Sequence, residues 1–133
     1  MYTPRFCLRA FETLDRAGRE VVLMMLFEAL IATNVAYLRK RPETPGLYAS
    51  GVRYVEEPPG EEDWQDIPET LARAIGDCED LACWRIAELR VRDGEHAHPF
   101  LKCAERDAGV LYHVAVRRLD GSLEDPSRVL GMH

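Results

Sequence analysis

A chain of 133 residues, 47% hydrophobic and 30% charged, is long enough to bury a core without disulfide staples. Its net charge of −6, with acidic and basic residues interspersed, argues against nucleic acid or an anionic membrane surface as the main partner. The four cysteines (Cys7, Cys78, Cys83, Cys103) form no CxxC pair and no dense secreted framework, which disfavours structural zinc and points to a reduced, cytoplasmic protein. Arg5 and Arg9 are followed by no clean apolar run, so no signal peptide is expected.

Residues Arg5 to Glu12 suit either a strand or a short helix. From Arg19 to Arg41 the pattern is helical, free of Gly and Pro, with a basic end suited to a helix C-terminus. Val21 to Phe27 is continuously apolar, but Glu28 and Asn34 interrupt what would otherwise pass for a membrane span. A buried central helix is expected there. Pro42 and Pro45-Gly46 end it. Tyr48 to Glu56 reads as extended, and Pro58 to Asp63 as a surface loop. Pro68 starts a short helix through Ala74, which Gly76 terminates.

The stretch Gly76 to Ala82, GDCEDLA, places Cys78 where a turn becomes a helix. Asp77 can cap that helix, and Glu79 and Asp80 put negative charge in its first turn. Cys78, Ala82, Ile86 and Leu89 share one inward face of a helix running to Arg92. A thiol at a helix N-terminus is where a thiolate is most easily stabilised. Glu79 and Asp80 are expected to point away from that face, leaving the helix terminus and a nearby histidine to lower the thiol's pKa.

Two β-like runs follow, His96 to Cys103 and Val110 to Leu119, with a turn around Asp107-Ala108-Gly109 between them. Asp120-Gly121 then turns the chain into a third strand at Ser122 to Glu124. Helices first and an antiparallel hairpin sheet after them indicate an α+β fold, read as one domain over residues 1–133. On the second run His113, Ala115 and Arg117 share one face, opposite Tyr112, Val114 and Val116. If the third strand pairs with it, Asp125 comes near His113. Acyl transfer through cysteine needs a nucleophile, a base and a group that orients the base. Cys78, His113 and Asp125 are the candidates, in that order. Cys7, Cys83 and Cys103 are expected to be structural. His96 and His98 share a strand face but bring no third ligand, so neither metal nor cofactor is expected.

The GDCEDLA segment, the Tyr112-His113-Val114 strand and the Glu124-Asp125-Pro126-Ser127 segment resemble the transglutaminase-like cysteine domains of the papain-like superfamily, in their small single-domain bacterial or phage form. The resemblance covers Trp64 to Gly131. It implies a papain-like core and matches Cys78 to the nucleophile, His113 to the base and Asp125 to the orienting acid. The oxyanion would be met by the Cys78 backbone N–H and by an upstream side chain, Trp64 or Gln65. The chain lacks the β-sandwich and barrel domains of animal transglutaminases, which argues against calcium regulation and strict glutamine specificity. The expected function is cysteine-dependent acyl transfer at an amide bond of a peptide or protein. Hydrolysis is favoured over transfer to an amine, because one small domain offers little surface to shield a thioester from water. A non-catalytic binding or assembly module retaining the fold is the alternative from another class.

Overall fold

The computed structural model describes Pro4 and residues 7–57, 63–107 and 109–133. The expected loop at Pro58 to Asp63 falls almost wholly outside these residues, as do Arg5, Phe6 and Ala108. Among the described residues four α-helices, a small antiparallel sheet and a two-stranded parallel pair make the fold α+β.

Helix α1 spans Arg16–Lys40 and begins earlier than the apolar pattern, because the Asp15 side chain accepts from Gly18 N at 2.7 Å and caps it. Leu23, Phe27, Ile31, Asn34 and Leu38 form its buried stripe at spacings of three and four. The opposite face stays uncovered, with Val21 and Met25 exposed. The helix is long and apolar enough to cross a membrane, but its buried stripe is spent on the rest of the fold. Asn34, a polar break in the sequence pattern, is fully buried and accepts from Ile67 N at 3.0 Å. That bond holds the start of the next helix.

Residues Leu47–Ala49 form a 3-10 turn rather than extended chain. Only Arg53–Tyr54 (β1) is a strand in the segment expected to be extended. Helix α2, Ile67–Arg73, is capped by Asp66 and carries Pro68 in its first turn. Ala74 then takes a left-handed conformation at φ 60°, and Ile75–Gly76 (β2) pairs in parallel with β1. Gly76 is therefore strand as well as terminator. A Cβ there would lie 3.0 Å from a Leu81 methyl and 3.3 Å from Asp80 Cβ, so the close approach to the next helix favours glycine.

That helix, α3, Cys78–Arg92, is the true centre of the fold. On one side Ala82, Cys83, Ile86 and Leu89 pack with Leu23, Phe27 and Ile31 of α1 and with Val114 and Val116. On the other, Leu81, Trp84 and Ala87 pack with Leu38, Leu47, Val52, Ile67 and Leu130. Buried on both sides, α3 takes the place that hydrophobicity alone assigns to α1.

Strands β3 (His98–Arg106) and β4 (Gly109–Arg117) pair antiparallel, with Lys102 opposite His113. Strand β5 is only Leu123–Glu124 and pairs with the end of β4 through Val116–Glu124 and Arg117–Leu123. Gly121, at φ 87°, makes the turn between them. Helix α4, Pro126–Val129, follows immediately, with Asp125 as its N-cap.

Candidate active site

Three structural decisions deliver the candidate side chains. The first is the register of β4 and β5. Continuing it by one residue puts Asp125 opposite Ala115, on the face that also carries His113. The methyl of Ala115 leaves room between them, and His113 Nε2 meets Asp125 Oδ2 at 2.8 Å. The carboxylate is fixed by its second oxygen, which accepts from Ser127 N at 3.2 Å as the cap of α4. A carboxylate only accepts, so Nε2 carries the proton and Nδ1 keeps its lone pair. The imidazole is thereby poised as a base through Nδ1.

The second decision is the clamp on β5. Arg85 Nε donates to Glu124 Oε2 at 2.6 Å, Arg118 donates to Glu124 Oε1 at 2.8 Å, and the Tyr48 hydroxyl donates to Glu124 Oε2. Arg118 also binds Glu95 through two bonds, at 2.6 and 2.7 Å. These part-buried, charge-assisted bonds tie the two-residue strand to α3 and to the 3-10 turn, just before the chain reaches Asp125. Sequence reasoning missed all of these residues. The alternation of charge in Arg118, Asp120 and Glu124 carries no sign of which partner each will find.

The third is the early end of β5. Arg118 N donates to Ser122 O, so the even-numbered N–H groups of this part of β4 face the β5 side. At Val114 that neighbour is gone, because the chain has turned into α4. The Cys78 sulfur lies near enough to the Val114 N–H for that group to favour its thiolate. Cys78 thus sits at the edge of β4, one residue along the backbone from His113. Val114 and Val116 face α3, so His113 and Ala115 project from the other side of the sheet. No hydrogen bond joins the sulfur to His113 among the described residues. The thiol donates instead to Glu79 Oε2 at 3.4 Å.

Glu79 and Asp80 correct the sequence expectation, since neither points away into solvent. Glu79 is 7% exposed and Asp80 1%. Asp80 closes a capping box with Asp77, accepting from Asp77 N at 3.0 Å. It also accepts from Gln65 N at 2.7 Å. Burial pushes Asp80 up to about 7 against these two N–H groups. Burial, then the charges of Asp80 and Asp77, pushes Glu79 up to about 9. Burial first, and then Glu79, pushes the Cys78 thiol well above its ordinary value, outweighing the Val114 N–H. The lowering influences do not win in this arrangement. Both carboxyls hold protons more tightly in the folded chain than unfolded, so their contribution to stability is full below the ordinary carboxylate range. It is lost as pH rises through about 7 and then about 9. Urea unfolding at pH 5, 7 and 9 is expected to show a steady fall in the midpoint, and Glu79→Gln should remove the upper part of that fall.

The oxyanion candidates are placed elsewhere. Gln65 Nε2 is bound to Ile75 O at 3.0 Å, Asp80 Oδ2 at 3.3 Å and Thr70 Oγ1 at 3.4 Å, and its oxygen accepts from Arg73. Its amide is committed to holding the loop before α2. Trp64 stacks on Phe27 with ring centroids 5.1 Å apart. The Cys78 N–H donates to Asp77 Oδ1 at 2.7 Å, so it too is occupied by the cap.

All four cysteines are free. Cys83 is buried, with its sulfur 3.8 Å from Phe27 O, as expected of a structural thiol. Cys103 is not in apolar surroundings, because it lies 3.2 Å from Glu20 Oε1. Cys7 is exposed, which removes the ground for expecting it to be structural. Asp77, Cys78 and Glu79 bring ligand-type atoms within 4.8 Å of one another. The Asp77 carboxylate is engaged as the helix cap, so the trio is a cap beside a thiol. Compared with known proteins, the chain matches no family model, no curated protein and no solved structure. Function is therefore argued from the site alone.

Proposed function

We propose that this chain is a cysteine-dependent acyl-transfer domain acting on amide bonds of peptides or proteins, with a papain-like arrangement of Cys78, His113 and Asp125. The observation that carries the reading is the 2.8 Å His113–Asp125 bond, which leaves the acceptor nitrogen at Nδ1, one residue from the Val114 N–H that Cys78 approaches. In the proposed cycle the Cys78 proton passes to His113 Nδ1 and the sulfur attacks the carbonyl carbon. The imidazolium is steadied by Asp125 and protonates the departing amine. Water or an amine then attacks the thioester, giving hydrolysis or transamidation and returning the thiol.

The reading requires the sulfur to leave Glu79 and come within reach of His113, as catalytic bonds often tighten only in complexes. A non-catalytic module retaining the fold is the second reading. What favours it is that the thiol bonds to Glu79 and not to His113. The experiment that separates them is turnover of p-nitrophenyl acetate, an activated ester that acylates without demanding side-chain recognition. Casein plus a fluorescent primary amine reports the amine branch. Wild-type turnover that vanishes in Cys78→Ala is expected. Ester turnover equal in wild type and Cys78→Ala, with no amine incorporated, gives the binding module the lead.

A further inference from the structure

Glu79 is a buried carboxyl with no cation in contact among the described residues, and its side-chain partner is the Cys78 sulfur at 3.4 Å. Buried carboxyls are ordinarily paired or bonded to several donors. Asp80, next in sequence, shows the ordinary solution, with two backbone donors and a glutamine amide. Glu79 has its own backbone N–H beside the carboxyl and the Cys78 sulfur, a thinner set than that of Asp80, so its placement asks for a reason beyond packing. The groups facing it are Asp77, Asp80 and Cys83 from its own helix and Tyr54 from β1. His113 stands across β4 from the sulfur. Apart from the imidazole when protonated, every group in this set is neutral or acidic.

The geometry points to Glu79 as a latch on the nucleophile: in the resting chain its carboxyl holds the Cys78 thiol as S–H, turned away from His113, until a ligand at the site displaces it. The consequence for turnover rests on the acyl-transfer reading, but the latch itself is a statement about the thiol alone. When Glu79 is charged, it repels a thiolate beside it. When it is protonated, its own O–H can donate to the sulfur. The two groups therefore lose their first proton as a pair, and the second is released only against that repulsion. The thiol becomes a free nucleophile in one of two ways. Either the proton passes from sulfur to His113 Nδ1, giving thiolate and imidazolium, or it leaves to solvent at high pH. Because burial raises Glu79 to about 9, the repulsion acts above that pH, and below it the carboxyl meets the sulfur as a neutral hydrogen-bonding group.

The test is the rate of Cys78 alkylation by iodoacetamide between pH 6 and 10, mapped by peptide mass so that exposed Cys7 is counted separately. It needs no substrate. Glu79→Gln keeps the shape and a hydrogen-bonding group but removes the charge. Labelling at pH 7, where Glu79 holds its proton, is expected to change little. Labelling at pH 10, where the wild-type carboxylate is charged beside the thiol, is expected to speed about tenfold. Glu79→Met, unbranched and without polar atoms, should likewise speed labelling at pH 10 and covers the case in which the glutamine variant does not fold. His113→Ala in the glutamine background separates this inference from the proposed function. Acceleration that depends on His113 supports both. Acceleration that persists without His113 keeps the latch and overturns the triad. Labelling no faster in either Glu79 variant overturns the latch, whatever His113 does.

Discussion

Cys78→Ala and His113→Ala are each expected to reduce turnover of an activated ester to the uncatalysed background, and the double variant to lose nothing further. In the proposed cycle the two residues act on one proton and one bond, so removing either removes the step, and their effects do not add. Positioned base catalysis alone is worth roughly 10²–10⁴-fold, which sets the minimum loss for His113→Ala. Asp125→Ala should be milder, since in the proposed cycle that carboxylate only orients the imidazole, through the His113 bond. Part of its effect is on stability, because Asp125 also caps α4, and losing a cap costs about 1 kcal/mol. Steady-state rates with all four variants, each checked for folding by circular dichroism, provide the comparison. Additive losses in the double variant would mean that Cys78 and His113 do not serve one reaction.

The second large effect lies at the centre of α3. Trp84 is fully buried against Leu38, Leu47, Val52, Ile67 and Leu130. Trp84→Ala should destabilise by roughly 3–5 kcal/mol, through lost transfer energy and the cavity left behind. The indole Nε1 has no hydrogen-bond partner among the described residues. Trp84→Phe therefore loses volume but no polar contact, and leaves no orphaned acceptor. It should cost less than half as much. Urea denaturation followed by far-ultraviolet circular dichroism measures both, since fluorescence from Trp64 complicates the optical signal. Equal losses in the two variants would show that the indole makes a polar contribution after all. A similar truncation at Leu26 or Leu30 of α1 is expected to cost less, because those side chains are only half-buried.

The order of elements was legible in the sequence where chemistry is local. The cap at Asp77, the α3 helix, the hairpin at Gly121 and the alternation of β4 all follow from neighbours within a few residues. Asp125 beside His113 was legible as well, because a two-residue strand after a glycine turn leaves little freedom of register. What was hidden depends on distant partners. Asn34 reads as a polar break in an apolar helix, yet it receives the N–H of Ile67, thirty-three positions on. The parallel pair of β1 and β2 involves two residues each, too short for any period to announce it. Glu79 and Asp80 look like solvated first-turn acids. Gln65 folds back onto Asp80 and buries it, and no pattern within α3 foretells that. The choice of α3 over α1 as the central helix has the same origin. The continuous apolar run of α1 exceeds what its partners cover, while the mixed sequence of α3 is covered on both sides.

The central claim, that Cys78 is a nucleophile served by His113, is tested most directly by the mass of the intact protein in the first turnovers with p-nitrophenyl acetate. The wild-type chain is expected to gain one acetyl group, mapped to Cys78 and lost again on standing in water. His113→Ala should gain it far more slowly. Acetylation of Cys78 at the same rate with and without His113, or acetyl carried on Cys7 and not on Cys78, would contradict the claim.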